Sequence, residues 1–225
     1  MPKPTYFLRV LAGRGPLIVL AVAGAMLLGI VAPASAQFFD FGFGRRPMQL
    51  PPAELEAVLI YQMAALAGMA QAEGVKMGHV KPHGALSNMA CTDAALARTV
   101  VAAIRDFDAG LILLAPACSA LFTTGAEAGL RVVAEIFADR AYQDDGSLVP
   151  RSRPDAMIHG AGASLAHVSA MLAEQALISV NGVRRPTPIG SVCVHGDGPD
   201  AVATARFLRD ALTRDGWALV GLDAL

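Results

Sequence analysis

The chain has 225 residues, 54% hydrophobic and 16% charged, with a formal net charge of -1. That is enough chain for one domain with a sizeable core, and too apolar a chain for an intrinsically disordered one. The near-neutral charge excludes a basic face that would track nucleic acid. The three cysteines, Cys91, Cys118 and Cys193, form no CxxC and no Cys/His pairing at metal-ligand spacing. Cys118 and Cys193 sit in or next to apolar runs and read as buried, reduced thiols.

Residues 1–14 are basic and acid-free, residues 17–31 are an unbroken apolar run, and Ala34, Ser35 and Ala36 are small. Those three parts in that order predict a secretory signal peptide over residues 1–36, helical in its apolar part. The run is shorter than the ~20 residues a spanning helix needs, so an uncleaved anchor is the weaker reading. A misplaced start or a frameshift gives the same pattern. Membrane contact is expected only through residues 1–36, if uncleaved.

Residues 37–50 are Gly-rich, aromatic and doubly basic, so they read as a loop. Pro51 and Pro52 open a helix with Glu54 and Glu56 in its first turn, where the helix dipole favours acids. Leu55, Val58, Leu59, Met63, Leu66 and Met69 form its apolar face, and Gly74 closes it. Residues 75–82 read as a short strand leading into a loop at His83. Thr92 or Asp93 caps a helix over 94–106. A strand follows over 111–115, a helix over 119–128 and a strand over 131–137. A long polar loop spans 138–154. A helix over 164–174 precedes a small hairpin around Asn181-Gly182. A strand over 189–195 then turns through Gly196-Asp197-Gly198-Pro199 into a helix over 200–215. Alternating strands and helices predict an α/β fold with a mostly parallel sheet.

Polar residues gather where these strands end. Lys81 and His83 follow one, Glu135, Asp139 and Arg140 another, His195 and Asp197 a third. In parallel α/β folds the carboxyl ends of the strands share one face, and active sites lie there. His83 reads as a general base, a ligand or a helix cap. Asp139 and Arg140 read as a carboxylate with an anion-binding guanidinium, or as an ion pair pinning the loop. His195 and Asp197 suit acid–base work or one divalent metal, with Asp197 alternatively capping the next helix. Asn88 can bond an amide or satisfy its own loop. Arg45, Arg46, Arg151 and Arg153 can reach an anion or stand solvated. His159 and His167 have no partner at useful spacing. Ser87, Ser119 and Ser191 lack a GxSxG context, which argues against a serine hydrolase.

The strings GFGRRPM (42–48), VKPHGALSN (80–88), EIFADRAYQDDGSLVPRSRPDAMIH (135–159) and VCVHGDGP (192–199) together closely resemble the LamB/YcsF family, component A of the bacterial 5-oxoprolinase. They occur in family order over about 180 residues. The resemblance implies a (β/α) barrel related to glycoside hydrolase and deacetylase barrels. It implies ATP-dependent opening of 5-oxoproline to L-glutamate with partner subunits B and C, in the cytoplasm. Carried onto matching positions, it implies His83, Asp139, His195 and Asp197 as catalytic, and Lys81, Asn88, Glu135, Arg140, Arg45 and Arg151 as substrate- or phosphate-binding, with room for a divalent metal.

The sequence also departs from the family. Its acidic first strand, its Cys-Gly-Phe-His-Ala-Gly-Asp segment and its His-Pro segment are absent. Ser87 stands for the usual Tyr, Gly160 for Asp and Gly198 for Thr. The expected architecture is therefore a partial barrel over residues 37–225, lacking about three leading strands, behind the signal-like helix. A catalytically inactive truncated remnant, periplasmic or secreted if the signal works, is the competing reading. A metal-dependent, deacetylase-like carbohydrate hydrolase is a minor one.

Overall fold

The computed structural model describes residues 17–23 as backbone, and residues 50–196 and 200–225 in full. Among the described residues, eight strands and six helices follow in chain order. They are β1 (Leu17–Ala23), α1 (Pro52–Ala72), β2 (His79–Val80), α2 (Gly84–Thr92), α3 (Ala94–Asp108), β3 (Ile112–Pro116), α4 (Ala120–Glu127), β4 (Arg131–Phe137), α5 (Ala161–Glu174), β5 (Ala176–Ile178), β6 (Arg184–Pro186), β7 (Ile189–His195), α6 (Ala201–Arg214) and β8 (Ala218–Leu219). A final 3₁₀ turn covers Leu222–Ala224. Six strands form one sheet in the order β2-β3-β4-β7-β1-β8, and every pairing in it is parallel. β5 and β6 make the separate antiparallel hairpin expected around Asn181-Gly182.

Two segments differ from the sequence reading. The signal-type helix expected over 17–31 is, over Leu17–Ala23, a strand between β7 and β8. The physical reason is that an interior strand with parallel neighbours on both edges suits a continuous apolar, β-branched run, and LIVLAVA meets that requirement as well as it meets that of a signal peptide. Residues 84–92, expected as a loop after His83, form α2, which runs directly into the Asp93 cap of α3. The Asp93 carboxylate accepts from Ala95 N at 2.8 Å and Leu96 N at 3.0 Å. A cap of this kind stabilises a helix by about 1 kcal/mol.

The two faces of the sheet have different coverings. Leu113 and Ala115 of β3 cluster with Val100, Val101 and Ile104 of α3. Ala134 and Ile136 of β4, with Val192 and Val194 of β7, cluster with Val168, Met171 and Leu172 of α5 and with Leu208 and Leu212 of α6. Residues one step out of phase, Ile112, Leu114 and Val133, meet Leu222 and Leu225 instead. Side chains alternate across a strand, so these helices lie on one face and the C-terminal turn on the other.

A register shift decides what the second face carries. Ala134 pairs with Ile189, but Glu135 pairs with Ser191, so β7 holds one extra residue, Gly190. A one-residue shift changes which face each side chain takes. It brings Ser191, Cys193 and His195 into phase with Glu135 and Phe137, on the face the helices leave open. A Cβ at Gly190 would lie 2.9 Å from Val133 Cγ1, so the bulge needs a glycine.

α1 is apolar on all sides. Leu55 and Met63 are buried, but Val58, Leu66 and Met69, expected on the same face, are exposed. Among the described residues it is the one helix long and apolar enough to cross a membrane.

Candidate active site

Four of the residues expected at the strand ends come together. Lys81 follows β2 directly, Glu135 lies in β4, Asp139 follows β4 by two residues, and His195 closes β7. Lys81 Nζ lies 2.5 Å from Glu135 Oε2 and donates to Cys193 Sγ at 3.4 Å. Ser191 Oγ donates to Glu135 Oε1 at 3.3 Å. The Lys81 ammonium is the sole partner of Oε2 among the described residues, an ion pair rather than an aligned hydrogen bond. Lys81 starts two strands from Glu135 and spans β3, whose end offers only Ala115, Pro116 and Ala117 as obstacles.

Burial sets the electrostatics of this pair. It opposes charge on Lys81, but the Glu135 carboxylate and the Cys193 sulfur outweigh it and hold the ammonium above the ordinary lysine value. Burial also pushes Glu135 up, against the pull of Lys81 and Ser191. The 2.5 Å contact keeps the pair charged. Burial pushes the Cys193 thiol up to about 12, so it meets Lys81 as a neutral acceptor.

Beside the ion pair, His195 Nδ1 lies 2.8 Å from both carboxylate oxygens of Asp139. An ionised carboxylate only accepts, so Nδ1 carries the proton and Nε2 is the basic nitrogen. Nε2 makes no hydrogen bond among the described residues. About a quarter of the His195 side chain is exposed, so the free nitrogen faces an accessible site. An imidazole oriented by a carboxylate in this way can take a proton from water or a hydroxyl. The imidazole stacks on Phe137, with ring centroids 5.5 Å apart and planes 9° apart.

The other expected residues are placed differently. His83 precedes α2 without capping it, and loss of solvent together with the Lys81 and His195 charges holds it below the ordinary histidine value. The next residue, Gly84, has φ +64°, which explains a glycine there, and the space around its Cα is open. Asn88 is exposed on α2 with no hydrogen bond among the described residues. Arg140 does not pair with Asp139. Its guanidinium donates to Val149 O at 2.8 Å and Ala156 O at 3.4 Å, so it pins the 138–158 loop through carbonyls instead of a carboxylate. Arg151 is exposed, close enough to Arg140 to lower its pKa further after burial. Arg45 and Asp197 lie outside the described residues. Among the described residues, no three His, Cys, Asp or Glu side chains converge on a metal position.

Several site residues carry no sequence signal. Phe137, Ser191 and Cys193 read as strand interior, and only the bulge brings Ser191 and Cys193 onto the face of Phe137. Tyr142 and His167 support it from behind. The Tyr142 hydroxyl accepts the Phe137 N–H at 2.7 Å, the Tyr142 and His167 rings stack, and His167 Nε2 bonds Arg140 O at 3.0 Å. A cleft of about 420 Å³ between α4 and β6, lined by Cys118, Phe122, Arg184 and Arg185, contains none of these residues.

The profile of the LamB/YcsF family matches residues 11–225. The A component of 5-oxoprolinase from Azoarcus sp. (strain BH72) is 55% identical over 199 residues, covering 88% of this chain and 78% of the relative. Its counterpart from Bordetella pertussis (strain Tohama I) is 45% identical over the same length, covering 88% and 79%. The crystal structure of the lactam utilization protein from Thermus thermophilus superposes with a TM-score of 0.71 at 37% identity, covering 80% of this chain and 71% of that one.

Proposed function

This chain belongs to the LamB/YcsF family, and we propose that it is the lactam-opening component of an ATP-dependent 5-oxoprolinase. The observation that carries the reading is the Asp139–His195 pair with a free Nε2, set beside the charged Lys81–Glu135 pair at the carboxyl ends of parallel strands. The chemistry required is hydrolysis of a cyclic C–N bond. Water adds its oxygen to the lactam carbonyl carbon and gives a proton to His195 Nε2. The C–N bond then breaks, and the ring nitrogen leaves with a proton. Lys81, held protonated by Glu135, is the charged donor this reading assigns to it. An unactivated lactam is a poor electrophile, so in this reading ATP first phosphorylates its oxygen, releasing ADP; ring opening then leaves an acyl phosphate, which a second water hydrolyses to glutamate and inorganic phosphate. Lys81 and Arg151 are the cations that would take up that charge.

Two finer points belong to the same proposal. Helices on one face of a parallel sheet and polar strand ends on the other suit the wall of a (β/α) barrel. Coupling to ATP implies subunits B and C as partners and a cytoplasmic setting. Against an exported remnant stands the pairing of Leu17–Ala23 between β7 and β8, which cleavage after Ala36 would remove.

The test mixes the purified chain with the two partner subunits. Phosphate release should depend on 5-oxoproline and on this chain together. Release that ignores either would sink the reading.

A further inference from the structure

Phe137 has no polar chemistry, yet its ring touches both charged pairs. The His195 imidazole lies parallel to it at 5.5 Å, and the Lys81 ammonium lies 5.6 Å from its centroid. The residue is 7% exposed, and its N–H is held by the fully buried Tyr142 hydroxyl. Its position is therefore fixed from the side chain and from the backbone.

The need for such a residue follows from the charges around it. Two acids, Glu135 and Asp139, and two bases, Lys81 and His195, sit at neighbouring strand ends. Exchanging partners, Lys81 with Asp139 and the His195 Nδ1–H with Glu135, gives each carboxylate a donor again. Glu135 lies within electrostatic range of His195. In the exchanged arrangement Nδ1 of His195 loses Asp139 and Nε2 loses its defined direction. An aromatic face attracts a cation and accepts a flat ring against it, so it holds both bases where they stand. An aliphatic side chain of similar size does neither.

We propose that Phe137 is a positioning residue of this site, a partition that keeps the His195 ring on Asp139 and keeps the Lys81–Glu135 pair from exchanging partners with it. The proposal rests on the lactam-opening reading only for its kinetic consequence. Its geometric consequence can be read without substrate.

The experiment uses the full chain with ¹⁵N-labelled histidine. The hydrogen-bonded Nδ1–H proton of His195, assigned by its loss in His195→Gln, is followed by NMR in wild type, Phe137→Leu, Phe137→Tyr and the triple variant Phe137→Leu/Lys81→Met/Glu135→Leu. Thermal melts accompany each. The resonance should be present in wild type and Phe137→Tyr, and lost to solvent exchange in Phe137→Leu. It should return in the triple variant, where the competing Lys81–Glu135 pair is gone. With partner subunits and 5-oxoproline, Phe137→Leu should lose about tenfold to a hundredfold in kcat, the scale on which misplaced groups act, with KM changed less than about threefold. A Phe137→Leu protein that keeps the resonance overturns the proposal, as does a folded Phe137→Tyr protein that loses it, or a folded triple variant that fails to regain it. If the NMR pattern holds but wild type shows no turnover of 5-oxoproline, the lactam reading falls and the positioning role stands.

Discussion

His195 gives Nδ1 to Asp139, 2.8 Å from each carboxylate oxygen, and keeps Nε2 free. The orientation depends on the charge and the two-oxygen grip of Asp139. Asp139→Asn presents one oxygen and one amide, which permits the wrong tautomer. It should lower kcat by about 10²–10⁴-fold, the range for a disabled general base, while leaving the melting temperature close to wild type. Steady-state kinetics beside a thermal melt checks this. A variant within a few-fold of wild type would remove the pair from the mechanism.

The Lys81–Glu135 pair separates stability from function. The Glu135 side chain is fully buried and that of Lys81 is 14% exposed. Removing one partner strands a buried charge and should cost about 3–5 kcal/mol, in Lys81→Met or Glu135→Leu alone. The double variant should recover most of that loss, because an apolar pair needs no desolvation. Urea unfolding measures all three. Neither the single variants nor the double should open the lactam. Recovery of activity in the double variant would mean the pair serves only the fold.

The same pair has a pH signature. Lys81 is held above the ordinary lysine value of 10.5, so its contribution to stability is full below that value and is lost as the pH rises through the raised one. Wild-type stability should therefore fall more steeply than that of Lys81→Met above pH 10.5. Parallel urea titrations from pH 9 to pH 12, within roughly that window, give the difference. Parallel curves would contradict the pairing.

The thiols should differ in reactivity. Cys193 is buried and pushed up to about 12, and burial pushes Cys91 up to about 11. Both stay neutral at about pH 8, where the neutral thiol is a poor nucleophile. Cys118 is half-buried at the rim of the α4–β6 cleft. A native thiol titration should show one fast phase, absent in Cys118→Ser, with the other two thiols released on unfolding. A fast phase that survives in Cys118→Ser would show that Cys91 or Cys193 is open to solvent.

Much of this site is legible in the residues themselves. β4 and β7 have the expected bounds, and the convergence of Lys81, Glu135, Asp139 and His195 follows from parallel strands ending on one face. Phase is what the residues alone do not reveal. Ser191, Cys193 and His195 alternate with Val192 and Val194 in a run that reads as apolar throughout, and a bulge at Gly190 decides which set meets the helices. Arg140 is legible as a loop anchor or an anion binder, and only the positions of Val149 O and Ala156 O choose the anchor. Residues 17–23 show the converse difficulty, since one apolar string serves a signal peptide and a parallel strand alike.

The proposed hydrolysis of a lactam C–N bond by His195, oriented by Asp139, is tested most directly by the glutamate formed from 5-oxoproline in a single turnover. The reaction contains partner subunits and ATP, with either wild type or His195→Gln. Wild type should form glutamate in proportion to the chain added, and an equally stable His195→Gln protein should form none above the background of the partners alone. Equal glutamate from both proteins, or none from wild type, would contradict the account.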